Sequence, residues 1–99
     1  MIERHLTFSV PEDRSADFER FIAERYAPAM LAAPGCGGVS LLRETDDPGR
    51  YQLTFRFEDG DSAVGWRTSA VHQALQPDLK ALAETVEVKG YGLVLTLPG

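Results

Sequence analysis

The segment "RYQLTFRF", Arg50 to Phe57, alternates polar and apolar side chains along its whole length. Because successive side chains of a β-strand point to opposite faces of a sheet, this alternation predicts a strand with one buried face and one polar face. The apolar set is Tyr51, Leu53, Phe55 and Phe57, and the polar set is Gln52, Thr54 and Arg56. The segment therefore predicts an antiparallel sheet that is covered on one face only.

The flanking sequence either repeats this alternation or changes to helical spacing. Residues 2–10 alternate in the same way, with Leu6, Phe8 and Val10 on one parity. In chain order we predict a strand at 2–10, a helix at about 16–33, and strands at 39–44 and 50–57. A helix that is capped by Asp61 or Ser62 and carries Trp66 follows. The chain then continues with a helical segment at about 69–84 and a strand at 86–97. The order β-α-β-β-α-β predicts a single ferredoxin-like α+β domain over residues 1–99, with a four-stranded antiparallel sheet and helices on one face.

Two positions predict irregularities within these elements. Pro28 has no backbone N–H and predicts a kink or an end near the last turn of the first helix. In the final strand the apolar parity changes across Gly90, Tyr91 and Gly92. This change predicts a β-bulge or a bend at that point.

Composition and charge exclude several classes of protein. The net charge of −5, with ten Lys and Arg residues spread singly along the chain, gives no basic stripe for nucleic acid. No apolar run reaches the roughly 20 residues of a membrane span, and Glu3, Arg4 and His5 interrupt the position of a secretory signal. Cys36 is the only cysteine, so no disulfide forms within one chain. We therefore expect a cytoplasmic protein that binds neither nucleic acid nor a membrane.

The end of the last predicted strand is apolar on both parities. Leu93, Val94, Leu95 and Leu97 follow one another with a single polar residue among them. An exposed edge strand of this kind is prone to aggregation unless another chain covers it. A second copy of the protein is the simplest cover, so we expect a homodimer. Its two sheets would meet through their polar faces and line a shared barrel, or leave a pocket in each subunit.

In order along the chain, the residues resemble the dimeric α+β barrel proteins, a superfamily that includes the antibiotic biosynthesis monooxygenase domain and the stress-responsive barrel proteins. "MIERHLTF" resembles the first strand of that superfamily, and "APGCGGVSLLRE" resembles its Pro-Gly-x-x-Gly turn into the second strand. "YQLTFRFEDGDSAVGWRTSAVHQAL" is similar to its strand, acidic turn, aromatic-bearing helix and Ser-x-x-His step. The similarity covers the whole chain.

The resemblance implies a homodimer with a ligand pocket between each sheet and its helices. It also implies a helix break near the Ser-x-x-His step, which would put Trp66 and His72 on separate segments. The haem-degrading oxygenases of the superfamily share a Trp followed three residues later by Ser, but their haem-ligating His falls where this chain has Gln76. An Asn of their first strand is also replaced in the Arg4-His5 region. The quinone-forming oxygenases of the superfamily need no cofactor, and we expect none here.

Trp66 and His72 are the first two candidate site residues. Trp66 is a candidate for substrate binding, because a Trp buries about 150–250 Å² when it is covered. Core packing or a dimer contact is the alternative role for Trp66. His72 is a candidate catalytic residue, because an imidazole exchanges protons near neutrality. The alternative for His72 is a residue at a helix start whose polar groups are satisfied by the backbone or by the Ser69 hydroxyl.

The polar face of the sheet supplies the remaining candidates. His5 as a general base and Arg56 as a clamp for a phenolate or carboxylate would converge there if the first and third strands are neighbours. Pairing with Glu44 or Glu87 is the alternative role for Arg56. Thr7 and Thr54 could offer hydroxyl contacts to a substrate, although strand propensity explains them as well. No spacing of His, Cys, Asp or Glu indicates a metal site.

The sequence leaves three hypotheses about function open. The first is a homodimer that binds a small apolar or aromatic molecule and acts as a cofactor-independent monooxygenase on an aromatic, polyketide-like substrate. The second is a non-catalytic, stress-associated or ligand-binding barrel protein. The third is a small-molecule isomerase or lyase that uses His5 or His72 as its base.

Overall fold

A computed structural model describes all residues from 1 to 99. The strands are β1 (Ile2–Ser9), β2 (Cys36–Arg43), β3 (Arg50–Phe57) and β4 (Glu84–Gly92), and the helices are α1 (Ser15–Phe21), α2 (Ala27–Leu31), α3 (Gly60–Arg67) and α4 (Ala70–Leu82). The strands form one antiparallel sheet in the order β2-β3-β1-β4. This order confirms the ferredoxin-like α+β class. None of the helices is both long and apolar enough to cross a membrane.

The two faces of the sheet carry different side chains, as the alternation in β3 predicts. Leu6 of β1 lies opposite Leu53 of β3 on the face that the helices cover, and His5 lies opposite Thr54 on the other face, which we call the open face. The largest fully buried side chains are Phe8, Phe18, Tyr26, Met30, Tyr51, Leu53 and Phe57. The core is therefore a layer of mainly aromatic side chains between the sheet and the helices.

The first helical region passes through Pro28 without ending there. A π-helical segment, Ile22–Tyr26, joins α1 to α2, and the Ala27 N–H donates to the Ile22 carbonyl five residues earlier. Proline lacks the N–H that would continue the usual i to i−4 pattern, and the wider π-helical turn precedes it. The chain remains helical to Leu31, so the irregularity expected near Pro28 is a local change of helical register and not an end of the helix.

The last strand is shorter than the sequence predicts. It begins at Glu84 and ends at Gly92, which pairs with Ile2 at the start of β1. Beyond that pair, β1 offers no further strand residues, and the Leu93 N–H makes one final bond to the Met1 carbonyl. The apolar residues Val94, Leu95 and Leu97 consequently lie outside the sheet of this subunit.

The bulge in this strand also differs from the prediction in position. It falls where Thr7 pairs with Glu87 and Phe8 pairs with Thr85, which leaves Val86 as the extra residue. The predicted irregularity at Gly90 to Gly92 is absent, because those residues pair in register with β1. The bulge therefore precedes the change in apolar parity that suggested it.

We expect the aromatic core to dominate stability. Leu53→Ala should lower the free energy of unfolding by about 2–5 kcal/mol, because Leu53 is fully buried and its truncation leaves a cavity. The matched control Leu31→Ala removes the same atoms from a residue that is 53% exposed and should cost less than about 1 kcal/mol. Urea unfolding of both variants checks the difference, and equal losses would contradict this description of the core.

Candidate functional site

A cavity of about 220 Å³ lies between the sheet and helices α3 and α4. We call it the inner cavity. Its lining is mostly apolar and aromatic, with a few polar groups, which is typical of small-molecule sites. The lining residues are Arg4, Leu6, Tyr26, Phe55, Ala63, Trp66, Arg67, His72, Gln76, Leu79, Thr85 and Val88. Its position is the one that the family resemblance implied.

A break between α3 and α4 turns Trp66 toward this cavity. Asp59, rather than Asp61 or Ser62, caps α3 by accepting from the Ser62 N–H at 2.8 Å. The Ser69 hydroxyl donates to the Trp66 carbonyl at 2.7 Å and accepts from the His72 N–H at 3.1 Å, so it ends one helix and caps the next. Helices α3 and α4 are therefore separate, as the family resemblance implied. Trp66 is only 5% exposed.

Three rings meet at the wall of the inner cavity. The Trp66 ring lies edge-to-face against Tyr26 at 5.8 Å and against His72 at 5.1 Å between ring centroids. Tyr26 and His72 approach each other at 6.2 Å. Edge-to-face packing of this kind fixes ring orientations. The structure thus brings together two of the predicted site residues, Trp66 and His72, and adds Tyr26.

His72 is held as a neutral imidazole. Burial lowers the pKa of its side chain below the usual 6.5; the Arg67 carbonyl partly offsets this effect, and the Arg67 charge adds to it. The Nε2 atom lies 3.1 Å from the amide nitrogen of Gln76, which donates to it, so the ring hydrogen is on Nδ1. Nδ1 is inaccessible to solvent, and no atom, including the Arg67 carbonyl, makes a hydrogen bond of normal geometry with it. The lone pair that can take a proton is therefore on Nε2, the nitrogen that contacts Gln76.

Tyr26 stays protonated over the whole physiological range. Burial raises the pKa of its hydroxyl to about 12, although interactions with the Trp66 and Gln76 side chains act in the opposite direction. A phenol in this state supplies a hydrogen-bond donor and an apolar ring. Tyr26 can therefore orient a ligand but does not act as a base.

Arg4 and Arg67 are cavity residues that the sequence analysis did not identify. Arg4 pairs with the buried Phe55 across β1 and β3, which places its side chain on the helix-covered face. The sequence could have predicted this position of Arg4, because Arg4 has the same parity in β1 as the core residues Leu6 and Phe8. No comparable signal exists for Arg67, since its position follows from where α3 ends.

The other predicted site residues gather on the open face of the sheet, opposite the inner cavity. His5 Nε2 lies 2.6 Å from one oxygen of Glu3, and Arg56 Nε lies 2.7 Å from the other. Hydrogen bonds from both partners lower the pKa of Glu3. Arg56 therefore pairs with Glu3, not with Glu44 or Glu87. The sheet separates this group from His72 and Trp66.

Shallow depressions on the open face include the two predicted threonines. Thr7 borders a depression of about 370 Å³ with Gln52 and Glu87, and Thr54 borders one of about 290 Å³ with Arg56. Neither threonine shares a depression with both His5 and Arg56. The open face thus carries polar residues in separate places and no enclosed cavity.

A wider groove lies outside the inner cavity, on the other side of Trp66. It has a volume of about 660 Å³ and runs between the end of α2 and helix α3, along Ala33, Asp61 and Val71. It lacks the imidazole and the arginines of the inner cavity. No group of three or more His, Cys, Asp or Glu residues could hold a metal ion. The inner cavity is therefore the candidate site.

Comparison with known proteins gives one family match. The family described as antibiotic biosynthesis monooxygenase matches residues 1–78. A solved structure from Bordetella bronchiseptica, assigned to the antibiotic biosynthesis monooxygenases, is 32% identical, with 95% of this chain and 97% of that chain covered and a TM-score of 0.84. The search of curated proteins gave no match.

Two further solved structures have the same fold. SnoaB, described as a cofactor-independent oxygenase from Streptomyces nogalater, is 26% identical, with 99% of this chain and 97% of its own covered and a TM-score of 0.87. A Deinococcus radiodurans protein assigned to the same monooxygenases is 18% identical over the full length of both chains, with a TM-score of 0.85. The likeness to the Deinococcus protein concerns the fold alone.

The burial of His72 predicts that the pKa of its ring is below the usual value, and this can be tested. In an NMR titration the His72 ring should change charge at a pH below 6.5, because burial disfavours the imidazolium form. Trp66→Ala should expose the ring to water and move the midpoint upward toward 6.5. A midpoint above 6.5 in the wild type would contradict the neutral imidazole.

Proposed function

Because the chain belongs to the antibiotic biosynthesis monooxygenase family, we propose that it oxidises a small hydroxylated aromatic molecule with O₂ in the inner cavity, without a bound cofactor. The observation that carries the proposal is the neutral His72 imidazole beside Trp66 and Tyr26 in a mostly apolar cavity. The likeness to SnoaB, which is described as cofactor-independent, supports the absence of a cofactor.

In the proposed reaction the substrate supplies all the electrons. Its phenolic hydroxyl gives a proton to His72 Nε2, and the resulting anion forms a carbon–oxygen bond to O₂ at an electron-rich ring carbon. The oxygen–oxygen bond of the peroxide then breaks as that carbon loses its hydrogen. One oxygen atom remains as the second carbonyl of a quinone, and the other leaves as water with the two protons. One O₂ is reduced by four electrons for each quinone formed.

The protein's contribution is proton transfer, orientation and exclusion of water. Gln76 holds the His72 ring through the contact at Nε2, and a substrate hydroxyl would compete for that position. Trp66 and Tyr26 would contact the faces and edges of an aromatic substrate. The partly buried setting strengthens these electrostatic interactions, because less water screens them than at the surface. His5, Arg56, Thr7 and Thr54 lie across the sheet and take no part in this site.

The proposal includes a homodimer formed through the open face. The side chain of Val94 is 96% exposed, that of Leu95 71% and that of Leu97 74%. These residues form no helix or strand, and together they expose a large apolar surface. Leu42 on the open face is also exposed. A second copy packed against the open face and the segment 93–97 would remove Leu42 and the apolar side chains of that segment from water. Dimers of this kind would leave the inner cavity within each subunit.

We expect light scattering at micromolar concentration to give a mass near twice 10.9 kDa. Replacing both Leu95 and Leu97 by Asp should shift the protein toward the monomer, because two charges would replace buried apolar contacts. The control Val64→Asp adds a charge at an exposed position of α3 and should stay dimeric. A monomeric wild type, or dissociation by the control alone, would contradict the proposed interface.

Oxygen uptake tests the activity. A panel of hydroxylated one-, two- and three-ring aromatics in air should include a substrate that consumes one O₂ per quinone formed. His72→Gln should lower kcat by about 100-fold or more, because it removes the base but keeps a polar side chain. His5→Gln tests the competing candidate and should change the rate little. The proposal fails if no panel member is oxidised, or if His5→Gln abolishes turnover and His72→Gln does not.

A further inference from the structure

The inner cavity has an unusual charge for this protein. The chain contains 15 Asp and Glu against ten Lys and Arg, yet the cavity lining includes two arginines and no carboxylate. Charged groups around a low-dielectric cavity raise the local concentration of ligands of opposite sign. The lining therefore favours an anion, although the protein as a whole repels one.

The two cavity arginines are also the only ones without a partner. Of the eight arginines, six form a hydrogen bond or an ion pair with a carboxylate or a carbonyl elsewhere in the protein. The remaining two are Arg4 and Arg67, and both line the inner cavity. Arg4 makes no side-chain hydrogen bond, although Glu3 beside it in sequence binds Arg56 and His5 on the open face. Both side chains border the same cavity, with Arg4 partly buried and Arg67 exposed to solvent.

The cavity is small as well as positive. Its volume of about 220 Å³ lies below the roughly 300–1,000 Å³ typical of sites for drug-sized ligands. A planar guanidinium matches a carboxylate in a bidentate arrangement better than it matches a single oxygen. Size and donor geometry together favour a compact aromatic acid over an extended multi-ring molecule.

We propose that the substrate is a one- or two-ring hydroxylated aromatic carboxylic acid, whose carboxylate is bound by Arg4 and Arg67 while its ring lies against Trp66 and its hydroxyl faces His72. The inference rests on the proposed function for the location of the site. It adds two properties of the substrate, a carboxylate and a size of at most two rings. Proton transfer to His72 requires neither of them.

Binding can be measured without turnover through the fluorescence of Trp66, which is the only tryptophan. The probes are 1-hydroxy-2-naphthoic acid and its neutral isostere 1-hydroxy-2-naphthamide, titrated at pH 7 under anaerobic conditions. The wild type should bind the acid at least about tenfold more tightly than the amide, because a carboxylate forms an ion pair with a guanidinium group and a neutral amide does not. Arg4→Gln and Arg67→Gln should each reduce acid binding by about tenfold and leave amide binding almost unchanged.

Arg20→Gln is the matched control, because it removes the same charge from an exposed pair with Asp17 outside the cavity. It should leave the preference for the acid intact, and thermal unfolding checks that Arg4→Gln is folded. Equal binding of acid and amide to the wild type, no binding of either, or an equal loss in Arg20→Gln would overturn the inference. Acid binding without oxygen uptake would refute the monooxygenase proposal alone, whereas oxidation of neutral phenols without acid preference would refute this inference alone.

Discussion

Ser69 connects α3 to α4 through two hydrogen bonds of its hydroxyl, one to the Trp66 carbonyl and one from the His72 N–H. This junction determines where both side chains lie. If α3 continued into α4 as one helix, Trp66 would lie far from the apolar side of α4. The change of direction instead buries Trp66 and places its ring edge-to-face against His72. The inner cavity, the neutral imidazole and the aromatic wall all follow from it.

The sheet then divides the ionisable groups into two sets with different electrostatics. On the open face, Glu3 neutralises Arg56 and contacts His5, so the charges there are mutually satisfied. On the helix-covered face, Arg4 and Arg67 line a cavity that contains no carboxylate. Arg67 is exposed to water, but Arg4 is partly buried beside this cavity, where an unpaired charge is costly unless water or a ligand satisfies it. For this reason the helix-covered face is better suited to bind a small molecule than the open face.

Most of the fold could be predicted from the sequence where a periodic pattern is local. The bounds of β3 agree with the prediction, because alternation over eight residues allows no other assignment. The end of β4 could not be predicted, since it depends on where β1 begins and not on any residue in β4. The prediction that the strand continues to residue 97 is wrong for the same reason, because β4 ends at Gly92.

The candidate site was only partly predictable. Trp66 and His72 were identified from residue type, and the family resemblance implied the break that puts them on separate helices, but not the contact between their rings. His5 and Arg56 do lie on neighbouring strands, but Glu3 occupies the position between them where an anionic ligand was expected. The parity of β1 could have indicated both Glu3 on the open face and Arg4 on the other. The enclosure of a cavity depends on how the helices pack, which no local pattern specifies.

A crystal structure with 1-hydroxy-2-naphthoate tests the central claim most directly, because the two candidate locations lie on opposite sides of one sheet. We expect density for the ligand in the inner cavity, with its ring against Trp66 and its hydroxyl oxygen within hydrogen-bonding distance of His72 Nε2. Density on the open face, beside His5 and Arg56 and with the inner cavity empty, would contradict the account.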